Sequence, residues 1–212
     1  MYQPPHHRED RLDVQHALIR SHPFGTLITL GSSGLVANSI PFVLAAALPF
    51  GILKGHVARA NTQWRDFDPG VEALVIFQGV ETYISPSWYA TKRETAKVVP
   101  TWNYVIVQAR GPMRVVEDRD WLANQIAALT AEHETGRREP WAVTDAPAPF
   151  IEAQLKAIVG IEIPVARIEG KWKVSQNRPE ADRRGVVAGL RAEGNEAMAK
   201  LVSLPGAGEP GV

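Results

Sequence analysis

The sequence predicts an α+β domain in which strands joined as consecutive hairpins form a closed or partly closed antiparallel barrel. Short β-branched and apolar runs are separated by turns that contain Gly or Pro. The strands do not alternate with helices, as they would in a parallel sheet, and amphipathic segments remain to flank the sheet. At 212 residues, the chain has room for one substantial domain core.

The first half of the chain predicts one helix followed by five strands. The helix covers residues 10–20, and the strands cover residues 26–30, 35–44, 51–58, 72–78 and 81–85. A Gly-Ser-Ser-Gly run at residues 31–34 marks the first hairpin turn, and Gly79-Val80 marks the second. Asn61 is expected to cap a short helix that extends to Phe67. These elements predict an antiparallel sheet.

The second half begins with an aromatic and basic loop at residues 86–100, whose length is typical of binding loops. A long strand follows at 101–116 and is expected to bend at Gly111-Pro112, because proline cannot donate to a central ladder. The remaining predicted elements are a helix at 118–134 capped by Asp118, a helix at 147–158, a strand at 160–168, a helix at 181–201 interrupted at Gly185, Gly189 and Gly194, and a frayed tail at 203–212.

Composition excludes several classes of site. The chain has no cysteine, which excludes disulfides, thiolate metal sites and thiol nucleophiles. Lys plus Arg and Asp plus Glu both total 23, so the chain lacks the basic excess typical of nucleic-acid-binding domains. No apolar tract of ~20 residues and no secretory signal pattern are present, and a cytoplasmic location is expected. No pair of histidines has ligand spacing, so no metal site is predicted.

Residues 54–61 predict a phosphate-binding cradle, although the chain has neither of the common glycine-rich phosphate motifs. Lys54 and His56 lie two residues apart and share one face of a strand, while Gly55 allows a ligand or a backbone to approach closely. Arg59 follows the strand, and Asn61 begins a helix whose free N–H groups favour an anion. The alternative is a solvated strand face that ends in an ordinary capped helix.

Other candidate ligand contacts lie on the preceding hairpin and around the aromatic loop. Asn38 and Ser39 are expected to present an amide or a hydroxyl beside the cradle, from an adjacent strand. Trp88 and Tyr89 lie at the start of the aromatic and basic loop, and Trp102 lies just after it. Planar ligands stack on aromatic rings of this kind. Aromatic residues also pack cores and subunit interfaces, and that alternative stays open for each of them.

Residues 170–178 combine a tryptophan, three cations and an amide pair in a predicted loop. Lys171 in this segment is a candidate cofactor contact, and the alternative is a solvated turn around a buried tryptophan. Arginines also recur at positions 178, 183, 184 and 191, but acidic residues are interleaved with them. The pattern therefore favours a salt-bridged solvent face over a DNA-binding surface.

Six ordered segments give the chain a resemblance to a known family over most of its length. They are HPFGTL (22–27), GHVARAN (55–61), VIFQG (75–79), YISPSWY (83–89), KVVPTWNY (97–104) and EGKWKVSQNR (169–178). They closely resemble the PaiB family of FMN-binding negative transcriptional regulators. The resemblance implies a split antiparallel β-barrel with flanking helices, FMN at a homodimer interface, and a role in gene repression.

The resemblance also implies roles for particular regions. Residues 54–61 would contact the FMN phosphate, and Trp88, Tyr89 and Trp102 would approach the ring system or the dimer seam. Residues 1–180 would form the FMN-binding domain, and residues 181–212 a C-terminal helix and tail. A role in repression also implies DNA as a partner, although the chain carries no net basic charge.

Two other functions remain open at this point. An FMN-dependent oxidoreductase of the pyridoxamine phosphate oxidase or flavin reductase type is the main alternative, because the same cofactor would serve both functions. A partner-binding dimer that has lost its flavin is the other.

Overall fold

The computed structural model describes residues 1–204, so most of the tail predicted at 203–212 lies outside them. The helices are α1 (Leu12–Ser21), α2 (Thr91–Thr95), α3 (Arg119–Glu134), α4 (Ala148–Lys156), α5 (Glu180–Ala192) and α6 (Glu196–Ser203). The strands are β1 (Arg8–Glu9), β2 (Phe24–Gly31), β3 (Gly34–Pro41), β4 (Val43–Ala45), β5 (Ile52–Ala58), β6 (Ala73–Ile84), β7 (Thr101–Gly111), β8 (Arg114–Val116), β9 (Ile158–Pro164) and β10 (Arg167–Lys173).

The strands form two sheets, and the pairs with a defined register are antiparallel. Six strands have the order β1-β10-β7-β6-β2-β3, and four have the order β4-β5-β9-β8. Antiparallel sheets with flanking helices confirm the α+β class. Four of the eight neighbouring pairs join strands that are not consecutive along the chain, so the strands are not simply consecutive hairpins as predicted.

Two compact units divide the chain, and each draws on separate stretches of sequence. The first contains residues 1–15, 78–107 and those from 169 onwards, while the second contains residues 16–77 and 108–168. The second unit has an apolar core in which the rings of Phe42 and Phe77 meet edge to face at 5.8 Å between centroids. In the first unit, α5 and α6 bury Val186, Leu190 and Met198. The predicted division into 1–180 and 181–212 stays a prediction.

The predicted hairpin turn at residues 31–34 is confirmed, because β2 ends at Gly31 and β3 begins at Gly34. The turn predicted at Gly79-Val80 is wrong. Strand β6 runs through both residues, and Gly79 keeps an extended backbone without the positive φ that a tight hairpin turn requires. The helix predicted from Asn61 to Phe67 is also shorter, a three-residue 3₁₀ turn at Thr62–Trp64.

The C-terminal third differs from prediction in two places. The strand predicted at 160–168 is the end of β9 and the start of β10, and the loop predicted at 170–178 begins inside β10. The helix predicted at 181–201 is interrupted at Gly194, whose φ is +78°, and not at the other two glycines. Gly185 and Gly189 lie inside α5, where packing overrides the weak helix propensity of glycine.

Candidate functional site

The predicted cradle, here called the β5 segment (residues 54–61), lies in the second unit. Along β5, burial alternates with each residue: Leu53, Gly55 and Val57 are buried, while Lys54 and His56 are half-buried. This alternation places Lys54 and His56 on one face of the strand, as their spacing predicts.

Helix α3 packs on this face. The Gln125 side chain donates a hydrogen bond of 3.0 Å to the carbonyl of Lys54, and the Lys54 Nζ lies 5.9 Å from the centroid of the Trp121 ring. Trp121 also contacts Gly160, the residue of β9 that pairs with His56. Within the described part of the chain, the Lys54 ammonium forms no ion pair or hydrogen bond. It is a partly desolvated cation that remains available to an anion.

His56 presents a second available group. Its Nδ1 atom is buried and has no hydrogen-bond partner among residues 1–204. Burial lowers the pKa of His56 below its ordinary value, because the charged form loses hydration. The imidazole is therefore neutral at pH 7, and a ligand that hydrogen-bonds to it would satisfy an otherwise costly buried polar atom.

Gly55 has a structural explanation within the protein. A Cβ atom at this position would lie 3.1 Å from the carbonyl oxygen of Pro41 and 3.2 Å from the Phe42 ring. The glycine therefore allows close approach of the β3–β4 backbone, one of the two possibilities that the sequence suggested.

Arg59 is engaged by the protein itself. Its guanidinium pairs with Glu117 and donates to the carbonyls of Lys156 and Ile158. It also lies 5.7 Å from the centroid of the Trp64 ring. These contacts join the end of β5 to α4 and β9, so the side chain acts as a cross-link between elements.

A buried amide joins two predicted site residues. The Asn61 side chain accepts from the backbone N–H of Gln63, which confirms Asn61 as a cap, and the Gln63 Oε1 accepts from Asn38 at 2.9 Å. Gln63 is 2% exposed, and its Nε2 lies 3.1 Å from the Thr29 hydroxyl and 3.2 Å from two backbone carbonyls. No feature of the sequence indicated Gln63. Ser39, one residue after Asn38, faces the opposite side of β3 and is exposed.

The predicted aromatic contacts lie in the first unit. Trp88 packs its ring against Gly189 and its backbone against Gly185, both on α5. Tyr89 is 1% exposed, and the Arg178 guanidinium lies 4.8 Å from its ring centroid. Both aromatic residues therefore contribute to the packing of this unit.

Trp102 and Lys171 have different surroundings in the same unit. Trp102 is 52% exposed and meets the exposed Tyr83 edge to face at 6.3 Å, which leaves aromatic surface open to a planar ligand or a partner. The Lys171 ammonium is buried, donates to the carbonyl of Tyr2, and lies 5.4 Å from the ring centroids of Tyr2 and Tyr104.

Each unit offers groups of a different chemical kind. In the second unit, the Lys54 ammonium and the His56 Nδ1 are suited to a phosphate. In the first unit, the exposed Tyr83 and Trp102 rings are suited to a flat ring system. Residues 1–204 contain no cluster of three or more His, Asp or Glu side chains that could hold a metal ion. None of the described helices is long and apolar enough to cross a membrane.

Comparison with protein families and known sequences gives long matches. Residues 1–167 match the family described as "Putative FMN-binding domain". The chain is 36% identical over 233 residues to the uncharacterized protein AN0679 of Emericella nidulans, a match that covers 93% of each chain. It is 31% identical over 204 residues to protease synthase and sporulation protein PAI 2 of Bacillus subtilis, with 96% of each chain covered.

Solved structures share the fold at low sequence identity. The conserved hypothetical protein Rv2991 of Mycobacterium tuberculosis superposes with a TM-score of 0.59 at 14% identity, covering 85% of this chain and 95% of that one. The flavocytochrome Anf3 of Azotobacter vinelandii gives a TM-score of 0.56 at 11% identity, with coverages of 78% and 68%. These similarities support the α+β split-barrel fold predicted from the sequence.

Proposed function

We propose that this chain, which belongs to the PaiB family of FMN-binding proteins, is a homodimeric repressor of transcription whose activity depends on bound FMN. The family match confirms FMN as the predicted cofactor. The observation that carries the proposal is the similarity to PAI 2, which extends over 96% of both chains and whose name refers to protease synthesis and sporulation. A regulatory role agrees with such a name better than a single metabolic reaction does.

In this proposal, the β5 segment holds the phosphate of FMN. Lys54 contributes a charge-assisted contact and His56 a neutral hydrogen bond, since neither side-chain group is satisfied within residues 1–204. Arg59 does not contact the phosphate and instead fixes the end of β5 through Glu117 and two carbonyls. Bound FMN supplies a redox-active ring, and the protein supplies its position and electrostatic surroundings.

An exposed apolar face of the second unit supports the homodimer. In β2 and β3, Phe24 is 67% exposed, Leu30 37% and Leu35 79%. Leu30 pairs with Leu35 and Phe24 with Pro41, so these side chains share one face of the sheet. Large exposed apolar side chains on one sheet face are typical of an interface. We therefore assign the partner on this face to a second copy of the chain.

Leu35→Glu tests the homodimer. A charge within an apolar interface would be desolvated without a partner, so the variant is expected to sediment as a monomer where the wild type sediments as a dimer. Leu48→Glu, at a position that is 98% exposed in the same unit, is the matched control and should remain dimeric. A wild-type monomer, or an unchanged Leu35→Glu dimer, would contradict this assignment.

The charge pattern of the chain bears on direct binding to DNA. The chain carries equal numbers of basic and acidic residues, and two arginines of α5 are already paired, Arg184 with Glu180 and Arg191 with Glu196. Mobility shifts on the DNA upstream of the chain's own gene, measured with and without FMN over a range of salt, test it. Binding that weakens with salt and changes with FMN is expected, and absence of binding at low salt would remove the DNA claim.

The rate at which FMN-loaded protein oxidises reduced nicotinamides distinguishes a regulator from an oxidoreductase. A regulator is expected to oxidise reduced nicotinamides no faster than free FMN does, in the presence of several acceptors. Steady turnover well above that rate would replace the regulatory proposal with an enzymatic one.

A further inference from the structure

A small cavity in the first unit is lined only by polar residues, and none of them is acidic. Its volume is about 50 Å³, and its lining consists of Thr101, Asn103, Lys173, Ser175, Asn177 and Arg178. We call it the polar cavity. Strand β7 supplies the first two residues, and the end of β10 with the turn after it supplies the others.

Two uncharged residues of the lining, Asn103 and Ser175, are buried and hydrogen-bonded to each other. Asn103 is 1% exposed and Ser175 4% exposed, and the Asn103 amide donates to the Ser175 hydroxyl at 2.9 Å. Ser175 has a φ of +63°, a left-handed conformation that costs roughly 1 kcal/mol or more in a residue other than glycine. A buried, strained serine held by a buried amide indicates a position whose geometry serves a purpose beyond packing.

Two cations complete the polar cavity without a carboxylate partner. Lys173 Nζ donates to the Thr101 hydroxyl and to the carbonyl of Trp102, and the Arg178 guanidinium lies over the ring of Tyr89. Within the described part of the chain, the ion pairs all involve other cations. Burial, and repulsion from Lys171 and Arg178, lower the pKa of Lys173, so an anion would relieve an unfavourable concentration of positive charge.

We propose that the polar cavity binds a phosphate-class anion. Lys173 and Arg178 would make charge-assisted hydrogen bonds to its oxygens, and Ser175 and Asn103 would add neutral ones. The volume suits one small oxyanion or the terminal group of a larger ligand. The anion is either a free molecule or the phosphate of a nucleotide, and both share the chemistry that the lining recognises.

The test is an NMR titration of the full chain with inorganic phosphate, with sodium chloride at matched ionic strength as the reference. Phosphate is expected to shift the side-chain amide of Asn103 and the backbone amide of Ser175 in a saturable manner. Arg178→Gln and Lys173→Gln should each weaken binding roughly tenfold or more, because each removes a charge-assisted contact. Arg191→Gln, which removes an equal charge from the exposed surface of α5 in the same unit, should bind phosphate like the wild type.

A second arm identifies the source of the anion. If FMN-loaded protein still binds phosphate at the polar cavity, the ligand is a separate small anion. If FMN abolishes the phosphate response, and Arg178→Gln weakens FMN binding but not riboflavin binding, the anion is the phosphate of FMN. The assignment of that phosphate to Lys54 and His56 would then be wrong, while the polar cavity would stand as the phosphate site. Either result supports the site.

The proposal is overturned if phosphate produces no shift at Asn103 and Ser175, or if both variants bind phosphate as tightly as the wild type. Should Lys173→Gln fail to fold, Arg178→Gln decides alone, since the Arg178 guanidinium lies over the Tyr89 ring and has no carboxylate partner within the described residues. The phosphate arm needs no flavin, so its outcome is independent of whether the proposed FMN function holds.

Discussion

The β5 segment and the polar cavity both bring cations to a β-strand, but they differ in how far the protein satisfies those cations. In the β5 segment, Arg59 is held by Glu117 and two carbonyls, and Lys54 remains available. In the polar cavity, neither Lys173 nor Arg178 has a carboxylate partner in residues 1–204. Sequence spacing therefore predicts which side chains share a face of a strand. Contacts with residues distant in sequence decide which cations remain available to a ligand.

The largest effect is expected at Gln63, the most fully satisfied polar group near the β5 segment. Gln63→Ala should lower the free energy of unfolding by about 3 kcal/mol, because it leaves the Asn38 amide and several acceptors buried without a partner. Denaturant titration measures this loss, with Gln154→Ala on the exposed side of α4 as the control. A loss below about 1 kcal/mol would mean that water replaces the amide, and that this region is less tightly satisfied than we describe.

In the first unit, apolar packing sets a comparable constraint at Gly189. A Cβ atom there would lie 2.4 Å from the Trp88 ring, so Gly189→Ala should destabilise the protein by about 2 kcal/mol. In a Trp88→Ala background, the same change should instead stabilise by up to about 1 kcal/mol, the ordinary preference of a helix for alanine. Urea unfolding of the four proteins measures both signs. If Gly189→Ala changes stability in the same direction in both backgrounds, contact with the Trp88 ring is not the reason that position 189 requires glycine.

The pKa of the buried His7 responds to the charges around β10, the strand that contains Lys173. Burial, with repulsion from His6, lowers its pKa to about 4. Between pH 6.5 and about 4, the unfolded chain binds a proton that the folded protein excludes, so stability present above pH 6.5 is lost as the pH falls. The loss should reach about 1 kcal/mol at pH 5.5.

His7→Gln should flatten this pH dependence, whereas the exposed His133→Gln should leave it unchanged. Thermal unfolding at pH 7.5 and pH 5.5 makes the comparison. An equal loss of stability on acidification in wild type and His7→Gln would exclude His7 as its origin.

The smallest effect is expected at Arg59, the cation of the β5 segment whose side chain is bound by other residues of the protein. Arg59→Gln should cost about 1 kcal/mol of stability, because its side chain is 40% exposed and its ion pair with Glu117 is screened by water. FMN affinity should change less than about twofold. A tenfold loss of FMN affinity in the folded variant would return Arg59 to the phosphate site that its sequence position suggested.

Local patterns predicted the elements whose signals lie within a few residues. The turn at residues 31–34 and the helix cap at Asp118, which accepts from the backbone N–H of Trp121, occur where the sequence placed them. Gly79-Val80 misled because a Gly-containing dipeptide predicts a turn, while pairing with neighbouring strands keeps β6 extended.

Site residues were harder to predict because their state depends on distant partners. The spacing of Lys54 and His56 predicted that they share one face of the strand. It did not predict that Trp121 and Gln125 of α3 pack against Lys54. Gln63 carries no motif at all, and its importance comes from carbonyls on β2 and β3. Such satisfaction of polar groups is a property of the tertiary structure.

The central claim is that Lys54 and His56 bind the phosphate of FMN. Its most direct test is a calorimetric titration of FMN, and separately of riboflavin, into the wild type and the Lys54→Ala/His56→Ala variant. Wild type should bind FMN far more tightly than riboflavin, and the variant should lose roughly 100-fold in FMN affinity while its riboflavin affinity stays nearly constant. Lys156→Ala, an exposed lysine of the same unit, should behave like wild type. Equal FMN affinity in wild type and the double variant would contradict the account, because the phosphate would then be held elsewhere.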